Sequence, residues 1–117
     1  MKTLFQIVKE SSNRIDTIEN SVEKCPYICG RTLHSVLASA MSEFGELAEE
    51  INIHDGHSYK TAGEDGIVGE AVDTIACLLD LIHVYNPQLT EHDIMTMAAQ
   101  KCAKWVRKVA ENRGIDL

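Results

Sequence analysis

Four acidic residues fall into two pairs of equal spacing, Glu43 with Glu46 and Glu70 with Asp73. Three residues apart on a helix, two side chains share one face about a turn apart. Paired carboxylates of this kind make hard, oxygen-rich sites suited to Mg²⁺ or Mn²⁺. Taken alone, the first pair is explained by a solvated acidic face, since Glu43, Glu46, Glu49 and Glu50 all lie away from the apolar stripe of their segment. The second pair resists that explanation. Ile67, Val68, Ala71, Val72, Ile75, Leu78, Leu79 and Ile82 cover half the helix circumference or more. At about 100° per residue, Glu70, Asp73, Cys77 and Asp80 then share one narrow stripe with no Lys or Arg. So apolar a helix buries most of its sides. Set against Glu43 and Glu46, its stripe needs protons or cations to offset like charge. Asp80 either extends that site or lies beyond it in solvent.

Charge of the opposite sign follows in the last segment, where Lys101, Lys104, Arg107 and Lys108 flank the apolar set Ile94, Ala98, Cys102, Trp105 and Val109. A solvated basic face, or favourable charge near a helix C-terminus, accounts for them. Beside a metal-carrying acidic site they would instead bind phosphate oxygens. Trp105 sorts with the apolar side and is expected in the core. His34, His54, His57, His83 and His92 show no ligand or triad spacing and read as surface or loop residues. Cys25 and Cys29 lie near His34, but no second ligand pair follows at zinc-finger spacing, so all four cysteines read as free thiols.

Helices must position these groups. A first segment, about Thr3 to Glu19, carries Leu4, Val8, Ile15 and Ile18 at helical spacing, and Ser11-Ser12-Asn13 is a candidate break within it. Pro26 and Gly30 mark a loop. The second helix should run from about Thr32 to His54, with Leu37, Met41, Phe44, Leu47, Ala48 and Ile51 as its stripe. A capping box at Thr61-Ala62-Gly63-Glu64 predicts the start of the third, which Asn86-Pro87 ends. Thr90 caps the last, which extends to about Asn112. There is no credible strand, repeat or dividing linker, so the expectation is one all-α domain over residues 1–117, a four- to five-helix bundle.

Composition agrees. Aromatics are only 5% and Pro occurs twice, against a hydrophobic content of 44%, a balance that favours helices. No apolar run approaches the roughly 20 residues that cross a bilayer, and the polar N-terminus is unlike a signal peptide, so a cytoplasmic protein with no membrane partner is expected. A net charge of −7 disfavours a nucleic-acid polymer as partner. It does not disfavour a small anion bridged by a cation.

Glu43-Phe44-Gly45-Glu46-Leu47-Ala48-Glu49-Glu50 followed by Glu70-Ala71-Val72-Asp73 resembles the E-x-x-E … E-x-x-D signature of MazG-like nucleoside triphosphate pyrophosphohydrolases, members of the all-α pyrophosphatase superfamily. The resemblance spans about Thr32 to Arg107. It implies that Glu43, Glu46, Glu70 and Asp73 are catalytic Mg²⁺ ligands, with Mn²⁺ able to substitute, and that Lys101, Lys104 and Arg107 contact phosphates. Many members carry a further Glu before the first ligand, where this chain has Ser42. The implied activity converts an NTP or dNTP to the nucleoside monophosphate and pyrophosphate, in a homo-oligomer, dimer or tetramer. A di-iron carboxylate bundle would need E-x-x-H pairs, and neither Glu43 nor Glu70 has His three residues on. The alternative is a non-catalytic nucleotide-binding or helical protein-interaction module.

Overall fold

A computed structural model describes residues 1–20 and 31–117. The loop around Pro26, and Cys25 and Cys29 with it, lies outside the described residues. Those described form four α-helices and no strand: α1 Leu4–Asn20, α2 Leu33–His54, α3 Gly66–Tyr85 and α4 Glu91–Asn112. None is long and apolar enough to cross a membrane. Contacts divide the chain into two compact units, Met1–Pro87 and Gln88–Leu117.

In the first unit α3 is central, packing along α2 and against α1. Each flanking helix starts on reciprocal hydrogen bonds. Thr3 Oγ1 accepts from the Gln6 N–H and Gln6 Oε1 from the Thr3 N–H. Thr32 and Ser35 exchange the same pair, satisfying N–H groups that a helix start leaves without partners. α2 ends on Gly56 at φ 77°, where the N–H groups of Gly56 and His57 close on the carbonyls of Ile53 and Asn52.

Two boundaries differ from the sequence expectation. Ser11-Ser12-Asn13 does not break α1, because Ser12 and Asn13 have tertiary partners. Ser12 is 2% exposed, and both its carbonyl and its Oγ accept from Arg31 Nη2, at 3.1 and 2.7 Å. Asn13 Oδ1 lies 2.9 Å from His83 Nε2. The box at Thr61 to Glu64 does not start α3, which begins at Gly66. Instead the Gly63 N–H donates to Glu50 Oε1 at 2.7 Å. Gly66 at φ 61° then turns the chain into the helix, and Gly69, in its first turn, leaves room for Asp65, with which a Cβ there would collide.

Small residues make the tight contacts. Val36, Ala40 and Thr74 are at most 4% exposed, whereas Leu37, Met41, Phe44 and Ile51 of the expected α2 stripe are 41% exposed or more. Arg31 ties α1 to α3: it also donates from Nε to Asp16 Oδ1 at 3.0 Å and pairs through Nη1 with Asp80 Oδ2. In the second unit α4 starts on a Thr90–Asp93 box. It ends on Gly114, after which Ile115 N–H returns to the Ala110 carbonyl. Trp105 is 68% exposed, against its expected place in the core.

Arg31→Ala should destabilise the fold by about 3 kcal/mol, because it leaves the shielded Asp80 carboxylate unpaired. Asp16→Ala, removing a carboxylate that is 43% exposed, should cost no more than about 1 kcal/mol. Urea denaturation of both variants measures the difference.

Candidate metal centre

The α2–α3 contact brings Glu43, Glu46 and Glu70 together, with one carboxylate oxygen of each within 4.8 Å of the others. Their placement follows from helix periodicity. Glu43 and Glu46 are one turn apart on α2, and α3 packs along that helix, with the small residues Ala40 and Thr74 buried. Thr74 also donates from Oγ1 to the Glu70 carbonyl at 2.8 Å, fixing its own rotamer inward. Glu43 and Glu70 are half-buried while Glu46 is exposed.

Two oxygens of this group, Glu43 Oε2 and Glu70 Oε2, are shielded from solvent and have no hydrogen-bond partner. Burial, then the charge of Glu46, pushes both carboxyls above their usual 4.5, and Asp73 adds to the rise. No Lys or Arg pairs with the three in any described ion pair. A cluster of carboxylates sharing one space, partly dry and without a cation, is suited to bind a divalent ion or to hold a proton.

Asp73 is exposed and is not one of the three oxygens that converge, though its charge acts on Glu43, Glu70 and Cys77. Asp80, expected either to extend the site or to lie in solvent, does neither, because its Oδ2 is engaged by Arg31. Lys101, Lys104 and Arg107 are exposed residues of α4, in the second unit.

Three residues carry more than their sequence reading. Glu50, expected on a solvated face, is 9% exposed and holds the loop that leads into α3 through Gly63. Glu49 accepts from Ser58 Oγ at 3.1 Å and lies 3.5 Å from Lys60 Nζ, tying down the start of that loop. His83, expected at the surface, is 9% exposed beside Asn13. The C-terminal position of Glu49 and Glu50 on α2, just before a polar loop, was the available signal for the first two. No protein-family model, curated protein or solved structure matches the chain.

The raised carboxyls set the sign of a pH effect. Glu43 and Glu70 hold protons in the native state that the unfolded chain has already released, in the window from 4.5 upward to their raised values. Stability of the metal-free protein therefore falls as pH rises through that window. Glu70→Gln should flatten this slope and raise the metal-free melting temperature at pH 7 by a few degrees, as calorimetry in EDTA would show.

Proposed function

We propose that the chain is a Mg²⁺-dependent nucleoside triphosphate pyrophosphohydrolase of the MazG-like kind, yielding a nucleoside monophosphate and pyrophosphate. The observation that carries this reading is the convergence of Glu43, Glu46 and Glu70 with two shielded oxygens that lack any donor. A carboxylate oxygen withdrawn from water and given no partner is costly, and a divalent cation relieves that cost. The donors are all oxygen, which fits Mg²⁺ or Mn²⁺ better than softer metals.

Glu43, Glu46 and Glu70, joined by Asp73 one turn further along α3, would hold the ion. When bound, Mg²⁺ supplies charge neutralisation and polarisation of phosphate oxygens. One glutamate of the group is proposed to take the proton of the attacking water. Lys101, Lys104 and Arg107 are proposed to contact phosphate oxygens, the role that charge-assisted donors serve when negative charge moves to a leaving group.

We also propose a homo-oligomer, dimer or tetramer. Met41 and Phe44 on α2 and Val68 and Val72 on α3 are all 45% exposed or more, an apolar surface that oligomers cover. The same exposure favours a second reading, a non-catalytic helical module that binds a nucleotide or a partner protein.

Turnover separates the two. Pyrophosphate release from a panel of NTPs and dNTPs should require Mg²⁺, stop in EDTA, and fall about a hundredfold or more in Glu70→Ala. No release by folded, Mg²⁺-saturated protein from any nucleotide would leave the module as the reading.

A further inference from the structure

Lys60 is the only Lys or Arg between Arg31 and Lys101, so it is the one such cation that α2, α3 and their connection carry. The connection, residues 55–65, runs from the end of α2 that follows Glu43 and Glu46 to the start of α3 that precedes Glu70. Two carboxylates pin it to the last turns of α2. Glu50 Oε1 accepts from the Gly63 N–H at 2.7 Å, and Glu49 Oε1 accepts from Ser58 Oγ at 3.1 Å. Ser58 Oγ in turn accepts from the Lys60 N–H at 3.2 Å. Glu49 follows Glu46 by three residues, about 4.5 Å along the helix. The backbone of Lys60 is thus fastened, through Ser58, to the turn of α2 that comes next after Glu46 of the acidic cluster.

Its side chain is held far less firmly. Lys60 Nζ lies 3.5 Å from Glu49 Oε1, with the lysine side chain 60% and the glutamate 38% exposed. A long ion pair so open to water contributes little. When the ammonium leaves, Glu49 Oε1 keeps the Ser58 hydroxyl as its donor, so the exchange strands no oxygen. An ammonium on a flexible four-carbon stem, with three donors, binds phosphate as a point charge.

We propose that Lys60 is a phosphate-contacting residue of the acidic site, held by Glu49 in the ligand-free protein and transferred to a phosphate oxygen of the metal-bound ligand. The inference rests on the cluster binding a divalent ion with phosphates. It adds to that reading a cation from the same compact unit as the glutamates, whereas Lys101, Lys104 and Arg107 belong to the other. Two anions compete here for one ammonium. Lys60 and Glu49 therefore act on ligand binding with opposite signs: the lysine adds affinity, and the glutamate subtracts from it by withholding the lysine. A pair that only stapled the connection to α2 would give both substitutions the same sign.

The test is calorimetric titration of inorganic pyrophosphate, in excess Mn²⁺, into the full chain, with Mn²⁺ binding alone followed separately by electron paramagnetic resonance. Lys60→Gln should weaken pyrophosphate about tenfold or more, the usual worth of a hydrogen bond to a charged group, with Mn²⁺ affinity undiminished. Glu49→Gln, which keeps an acceptor for Ser58, should tighten pyrophosphate by about threefold, the scale of an exposed ion pair. That gain should vanish in the double variant, where no ammonium remains to be withheld. Helicity by circular dichroism confirms that all three variants fold. Weakening by both single substitutions would reduce the pair to a staple and overturn the proposal. A gain from Glu49→Gln that persists in the double variant would overturn it too, since Glu49 would then act by its charge alone. Mn²⁺ bound normally, with pyrophosphate unbound or indifferent to Lys60, would remove this inference alone. Mn²⁺ that fails to bind would remove the metal reading, and the inference with it.

Discussion

The structure of the first unit is organised around a repulsion. Glu43 and Glu46 on α2 face Glu70 on α3 with no cation among the described ion pairs to separate them, and two of their oxygens are withdrawn from water. Such an arrangement lowers stability by itself. It persists because the helices carrying it are held by other means. Val36, Ala40 and Thr74 allow close approach of α2 and α3, and Glu50 and Glu49 anchor the loop between them. Stability given up at one place and supplied elsewhere is the usual mark of a binding site.

Arg31 plays the complementary part. Its side chain is 15% exposed and its guanidinium reaches Asp16 and Ser12 on α1 and Asp80 on α3. One cation thus neutralises the far end of the acidic stripe and fastens α1 to it, while no described ion pair reaches the near end. The stripe Glu70, Asp73, Cys77, Asp80 is therefore divided in two. Its first part carries no partner among the described ion pairs, and its last part is paired with Arg31.

Much of this was legible in the sequence, and the reasons are local. The Thr90 cap and the 3.6-residue period mark α2 and α4 to within a residue or two, since a helix start must satisfy its own N–H groups nearby, and Asn86-Pro87 marks the end of α3. The spacing of Glu43 with Glu46, and of Glu70 with Asp73, declares a shared face. What periodicity does not carry is pairing across the fold. Arg31 meets Asp80 across 49 residues, and Asn13 meets His83 across 70, so neither contact had a local signature. Ser11-Ser12-Asn13 read as a break for the same reason: polar residues inside a helix signal its end only when they lack tertiary partners. The start of α3 was misplaced because the Gly63 N–H is claimed by Glu50 rather than by a cap. The expected burial of Trp105 rested on its neighbours in α4, yet it is exposed.

Direct observation of metal at the three glutamates is the most immediate measurement. Titration of Mn²⁺ followed by electron paramagnetic resonance should show free ion disappearing onto the wild-type protein. The bound signal should be displaced by Mg²⁺ and lost in both Glu43→Gln and Glu70→Gln, with the helices intact. Mn²⁺ remaining free in the presence of folded wild-type protein, or binding equally well to both variants, would contradict the placement of a metal centre between α2 and α3.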